Sequence, residues 1–190
     1  GVVAWACARR EDALHRRIFQ TGPPFGVGPF RVEPFAVPHD AYEPVGFLVR
    51  CGEWSVGVAT DLGMLTTLVR ERLRHCHALV LEANHEPRLV TASRRPWSLK
   101  QRILGRQGHL SNADAMAAVR ELAHAGLQCV FLAHLSSECN RPEHASRGIV
   151  QQLGELGYSA VQVVVTRPDR PTPCWRLPER RGVQVSPVGH

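Results

Sequence analysis

Three apolar runs in this chain end on side chains that bind metals or move protons. Val56-Gly57-Val58-Ala59-Thr60-Asp61-Leu62-Gly63 ends on a carboxylate just before a glycine. Val130-Phe131-Leu132-Ala133-His134-Leu135-Ser136 ends on an imidazole, and Phe35-Ala36-Val37-Pro38-His39-Asp40 delivers another. An apolar run that stops abruptly at a polar residue is the pattern of a buried strand whose last residue reaches a sheet edge. Imidazoles and carboxylates together suit zinc or a similar divalent ion. A two-metal hydrolase needs a carboxylate that holds both ions close, so that a shared water gives up a proton and becomes a nucleophile at neutral pH. Asp61 is the natural bridge, with His39 and His134 on either side. A polar residue closing one strand is ordinary; the chemical hypothesis is that all three tips converge.

Those tips need elements to carry them. Phe30 to Val37 alternates and leads as a strand to His39. Val45 to Arg50 and Trp54 to Ala59 form a hairpin across Cys51-Gly52-Glu53, and its second strand delivers Asp61. Leu65 to Leu73 has the spacing of an amphipathic helix. Ala78 to Leu81 is a short buried strand that runs into Glu82-Ala83-Asn84-His85. Residues 86–108 are polar, basic and interrupted by Pro87, Pro96 and Gly105. That predicts a long loop, which in a compact domain is more often functional than idle. Ser111-x-x-Asp114 is a helix start with Ser111 or Asn112 as cap. The helix runs to about Ala125, where Gly126 stops it, and the His134 strand follows. Glu143 to Leu156 is another helix, stopped by Gly157, and Ala160 to Thr166 another strand.

Nearer the start, Val2 to Ala8 reads as a strand. Glu11 to Phe19 reads as a helix with Leu14 and Ile18 buried, ended by Gly22-Pro23-Pro24. Gly26-Val27-Gly28 has the look of a phosphate loop, but no helix or lysine follows, so a hairpin turn is the better reading. At the far end Pro168 to Pro173 is a turn, Trp175-Arg176-Leu177 a short final strand, and residues 178–190 a loose tail. There is no internal repeat. Strands alternate with helices, so the fold class is α/β, and the early hairpins make the sheet mixed.

The 190 residues suffice for one domain with a real core, and a hydrophobic fraction of 44% is ordinary. No stretch approaches the roughly 20 apolar residues of a membrane helix. No signal-peptide pattern is present and the chain starts at Gly1, so the natural N-terminus is expected to lie upstream. The formal charge of +6 comes almost entirely from arginine. Arg9, Arg10, Arg16 and Arg17 share one segment; Arg94, Arg95, Lys100, Arg102 and Arg106 share another. Such segments are either the solvated face of a protein from a GC-rich genome or a surface that attracts DNA or RNA. The six cysteines are scattered with no CxxC pair, which argues against structural zinc knuckles. Cys7, Cys51 and Cys129 sit in apolar runs as small core residues, and the setting is read as reducing and cytoplasmic. His75-Cys76-His77, between a helix and a strand, is read as surface.

Several of these runs resemble the metallo-β-lactamase fold hydrolases, and among them the WalJ/YycJ-type branch. They are Pro34-Phe35-Ala36-Val37-Pro38-His39-Asp40, Ala59-Thr60-Asp61-Leu62-Gly63, Leu81-Glu82-Ala83-Asn84-His85, Arg102-Ile103-Leu104-Gly105, Gly108-His109-Leu110-Ser111-Asn112 and Leu132-Ala133-His134-Leu135-Ser136. Asp169-Arg170-Pro171-Thr172-Pro173 also fits, so the similarity extends over nearly the whole chain up to Leu177. The resemblance implies an αββα sandwich over residues 1–177, incomplete in this chain. It implies that His39 completes the shell of a first metal, that Asp61 bridges two metals, zinc or manganese, and that His134 binds the second. His109 resembles the histidine with which related nucleases hold or protonate the phosphate. Its place just before a helix N-terminus favours an anion, with Ser111 and Asn112 as added donors. Glu82 would orient a ligand from behind, and Asn84 and His85 would stand behind the metals or face substrate.

The strongest signature of that family, HxHxDH, is absent from this sequence. The chain is therefore expected to be the C-terminal portion of a longer protein, inactive by itself. The first expectation for the parent is a metal-dependent phosphodiesterase, an exonuclease on nucleic acid, with the basic stretch 94–106 tracking the backbone. Lactone or thioester hydrolysis is the rival chemistry within the fold. The other expectation is a non-catalytic remnant that at most binds nucleic acid or a partner. An HxHxDH in the coding sequence within about one hundred residues upstream of Gly1 would favour the enzyme.

Overall fold

The computed structural model describes residues 18–176. Phe25–Val27 (β1) and Phe30–Ala36 (β2) form a hairpin around Gly28, whose φ of +55° is the left-handed backbone that a tight turn needs. Val45–Cys51 (β3) and Trp54–Ala59 (β4) form a second hairpin, turned at Gly52. Then follow Thr67–Leu73 (α1), Ala78–Glu82 (β5), Pro87–Ala92 (α2), Trp97–Leu104 (α3), Asn112–Leu122 (α4), Cys129–Ala133 (β6), Pro142–Glu155 (α5) and Gln162–Val165 (β7). The strands make one 7-stranded sheet in chain order, antiparallel from β1 to β4 and parallel from β4 to β7. Hairpins give the antiparallel half and helical crossovers the parallel half, which is the mixed α/β sheet the sequence predicts.

Register decides which face becomes core. Leu48, Gly57, Leu79, Val130 and Val163 stand in one row across the sheet. Val69 and Leu73 of α1, Ala115, Val119 and Leu122 of α4, and Ile149 and Leu153 of α5 join this face in a single core cluster. Each fully buried Val, Leu or Ile contributes about 1.5–3 kcal/mol. Gly57 marks the closest approach of α1, because a Cβ there would overlap the Leu73 side chain. The opposite row, Pro34, Phe47, Val58, Val80, Phe131 and Val164, is equally apolar. From Phe47 onward its residues are only half-buried. The rings of Phe19 and Trp175 lie against Phe47 and Phe131.

β2, β4, β5 and β6 run in the same direction, so their C-terminal ends share one edge. Sites of α/β sheets form at that edge. Here it carries His39, Asp61, Glu82 and His134.

Some local expectations are corrected. Residues 86–108 hold two helices rather than one loop. Pro87 sits in the first turn of α2 and Pro96 caps α3, positions where proline costs no helical hydrogen bond. The α4 helix ends at Leu122, earlier than Gly126 suggests, and His124 Nδ1 then accepts the Gly126 N–H. His75 is exposed, but Cys76 is buried and His77 Nδ1 accepts the Ser55 N–H, so this segment is knotted into the fold rather than lying on its surface. Cys129 is buried, whereas Cys51 is only half-buried at the end of a hairpin strand. Ile18 is 97% exposed and not one of a buried pair. Trp175 and Arg176 are not in a strand. The strand at 2–8, Cys7, most of the 11–19 helix, Leu177 and the tail lie outside the described residues.

Candidate metal centre

The shared edge gathers three imidazoles and two carboxylates. Asp61 Oδ1 lies 3.8 Å from His39 Nε2, 4.0 Å from His109 Nδ1 and 3.5 Å from His134 Nδ1. The rings of His39 and His109 are 5.0 Å apart, and those of His109 and His134 are 5.1 Å apart. Positions 39, 61 and 134, distant in sequence, therefore face one small volume, and His109 joins them.

Each side chain is aimed by its own support. His39 Nδ1 is 2.9 Å from the Gly108 carbonyl, which can only accept. Nδ1–H therefore donates to that carbonyl, which turns Nε2 toward Asp61. Gly108 must be glycine, since a Cβ there would overlap the Arg102 and Ile103 carbonyls at the end of α3. Asp61 and His134 both have left-handed backbone, φ +55° and +57°. Asp61 lies two residues past β4 and His134 one past β6, and left-handed backbone there costs of order 1–3 kcal/mol per residue. Asn84 holds the His134 turn from behind by donating Nδ2–H to the His134 carbonyl at 2.7 Å.

Glu82 is the hub. It is fully buried, and its Oε1 accepts from His109 Nδ1 at 2.8 Å and His134 Nδ1 at 2.7 Å. Its Oε2 accepts the N–H of Leu62, the residue after Asp61, at 2.8 Å. Burial alone would raise its pKa, but the bonds from His109, His134 and Leu62 outweigh that and hold it below the usual carboxylate range. The same bond from Glu82 raises the pKa of His134 against the opposing effect of burial. The His85 imidazole is pushed down, first by burial and then by the nearby His109.

Beside the cluster lies a cleft of about 340 Å³, walled by α2 and α3 on one side and by the loop after β6 on the other. His85, Arg95, Leu99, Arg102, Ser136 and Ser137 reach it. Arg102 is bidentate on Asp40, and Arg95 pairs with Glu138.

Of the nine residues singled out from the sequence, His39, Asp61, His134, His109 and Glu82 meet in this cluster. Asn84 supports it, and His85 lines the cleft. Ser111 and Asn112 do not face it. The Ser111 hydroxyl caps α4 through the Asp114 N–H and donates to the Asp114 carboxylate, which fills the helix N-terminus expected to attract an anion. The buried Asn112 amide is spent on Asn140. Asn140, which also donates to the Ala83 carbonyl, and the Asp40–Arg102 pair were not foreseen.

A mixed sheet with this row of strand-end imidazoles and carboxylates belongs to a class, the metallo-β-lactamase fold. A sequence model of the beta-lactamase superfamily domain matches residues 3–134, and the chain belongs to that family. Exodeoxyribonuclease YycJ of Bacillus anthracis is 33% identical over 158 residues, which cover 82% of this chain and 60% of the relative. Exodeoxyribonuclease WalJ of Streptococcus pneumoniae serotype 2 is 34% identical over 166 residues, covering 85% and 61%. The chain thus spans about three fifths of the length of the curated relatives it matches. The crystal structure of the metallo-beta-lactamase fold protein YhfI from Bacillus subtilis shares the fold, with a TM-score of 0.56 at 17% identity over 78% of this chain and 52% of that one.

The fold implies a divalent metal, and the donor set fits one. Nitrogen and oxygen ligands about 2.1 Å from a tetrahedral ion stand about 3.4 Å from each other. The 3.8 Å between Asp61 Oδ1 and His39 Nε2 is close to that, and the rings of His109 and His134, whose Nδ1 atoms bond Glu82, would offer Nε2. Two groups, His39 with Asp61 and His109, and Glu82 with His109 and His134, each present their donor atoms within 4.8 Å of one another. Two facing carboxylates also supply the charge that a divalent cation neutralises.

Proposed function

We propose that the protein is a divalent-metal-dependent phosphodiesterase that degrades DNA from its ends, working in the cytoplasm. One observation carries this: a single carboxylate oxygen, Asp61 Oδ1, stands within 4.0 Å of three imidazoles. The names of the relatives, both exodeoxyribonucleases, support the choice of substrate. His39 and His134 would each hold an ion and Asp61 would bridge two, of zinc or manganese. Bound metal supplies Lewis-acid charge and makes water acidic enough to serve as nucleophile near pH 7.

The chain's own residues do the rest. Glu82 fixes the rings of His109 and His134, so neither has to be ordered during the reaction. His109 sits over the same volume and hands a proton to the departing oxygen. Asn84 keeps His134 at its strand end. In the basic stretch 94–106, Arg95 and Arg102 are paired with Glu138 and Asp40, while Lys100 and Arg106 form no ion pair among the described residues and would meet a phosphate backbone. Lactones and thioesters have no use for that charge.

The test is DNA with defined ends. Intact protein loaded with zinc or manganese should shorten linear DNA and spare covalently closed circles. Chelation should stop the reaction and fresh metal restore it. Equal cutting of closed circles would remove the end-dependent reading, and no cutting of either would remove the nuclease reading.

A further inference from the structure

We propose that the cleft beside His109 and His134 seats a single nucleoside unit of the DNA end, with its base against the apolar wall made by α2 and α3. This deepens the phosphodiesterase reading and rests on it. The volume of about 340 Å³ lies at the lower bound of small-ligand sites, roughly 300–1,000 Å³. A space of that size suits one nucleotide and not a stacked run. Its walls are sorted by polarity. On the helical wall the partly buried Leu99 packs over the buried Val90, Ile103 and Cys139 and is the apolar side chain of that cluster with surface to offer the cleft. His109 and His134 close the other. A flat base joined to a scissile phosphate needs that pairing of surfaces.

Charge at the rim favours the neutral part of a nucleotide over a terminal phosphate. Arg102 is already matched by Asp40 and Arg95 by Glu138. Neither guanidinium adds much net charge for a dianion. A base asks instead for a directed hydrogen bond, and His85 has one unspent. Its side chain is 1% exposed and lines the cleft, and its Nδ1 has no hydrogen-bond partner. Buried polar atoms almost always have partners. An orphan in the wall of a ligand-sized cleft marks where the polar edge of a ligand is received.

The test is calorimetric titration of the intact protein with deoxyadenosine, deoxyadenosine monophosphate and inorganic phosphate. Leu99→Trp fills the apolar wall, Ser137→Trp crowds the cleft from the far side, and His85→Phe removes the nitrogen while keeping the ring. Thermal melts check that each variant is folded. Both nucleoside ligands should bind the parent protein, at least tenfold more weakly after either tryptophan substitution and several-fold more weakly after His85→Phe. The assignment is overturned if deoxyadenosine does not bind at millimolar concentration, if only inorganic phosphate binds, or if the folded variants bind as the parent does. DNA degradation is scored separately. A protein that binds deoxyadenosine but leaves DNA intact keeps the cleft assignment and loses the nuclease reading; one that degrades DNA without binding nucleoside does the reverse.

Discussion

Asp61 Oδ1 and His134 Nδ1 stand 3.5 Å apart across the end of β5, and both residues have left-handed backbone. Neither glycine nor asparagine fills these turns, although both would adopt them at lower cost. The geometry is held from below by Glu82, which bonds His134 and the N–H next to Asp61 with its two oxygens. Strain at a strand end, braced by a buried carboxylate, is how this edge keeps Asp61 and His134 in place.

Asparagine tolerates left-handed backbone and carries no charge, so Asp61→Asn should leave the metal-free fold as stable as the parent, within about 1 kcal/mol. Asp61→Val puts a β-branched residue in the same turn and should cost about 1–3 kcal/mol. Urea melts of both variants in chelator measure this. Equal stability of the two would show that the turn is not strained.

Glu82→Gln should destabilise by about 1–3 kcal/mol, because a neutral amide serves three donors less well than a carboxylate. The pH dependence follows from the signs of the shifts. The folded Glu82 pKa lies below its ordinary 4.5, so its contribution is present above that value and lost as pH falls through the folded pKa. The folded His134 pKa lies above its ordinary 6.5, so its contribution is present below that value and lost as pH rises through the folded pKa. Metal-free protein should therefore be most stable between the two, and Glu82→Gln should flatten the profile on both sides. Melts in chelator across that range, with parallel curves for the two proteins, would remove Glu82 from this role.

The thiols of Cys76 and Cys129 are pushed up to about 11 by burial. At pH 8 they should resist alkylation until the protein unfolds, while the exposed Cys174 reacts at once. Peptide mapping after timed iodoacetamide treatment reads this directly. Early labelling of Cys76 would mean that α1 opens in the native state.

The half-buried row of Phe47, Val58, Val80, Phe131 and Val164 should make the 190-residue chain self-associate when expressed alone. Val58→Lys with Val80→Lys should restore monomers, read by sedimentation. A monodisperse parent chain that melts cooperatively would show that this face is covered.

The strand ends were legible because an apolar run that stops at His or Asp is a one-dimensional signature of a sheet edge. The hairpins were legible from Gly28 and Gly52, and the α5 stop from Gly157, φ +83°. α2 and α3 were not, because Pro87 and Pro96 look like breaks until their place at helix starts is seen. Glu82 reads from the sequence as an orienting residue, but its three donors come from 20, 27 and 52 residues away, and no local pattern encodes them. The same distance hid the Asp40–Arg102 pair. Ser111 is the cap that the sequence predicts, but the side chains of Ser111 and Asn112 are taken up inside the fold instead of facing an anion, and that is hidden for a different reason. Polar residues at a helix start either serve the helix or face a ligand, and sequence alone does not say which.

Metal content under substitution tests the centre most directly. Elemental analysis of purified, dialysed protein should find divalent metal in the parent and in Ser111→Ala, whose hydroxyl only caps a helix. Asp61→Ala and the pair His39→Ala with His134→Ala should lose most of it while remaining folded. Full retention of metal by Asp61→Ala would contradict the account.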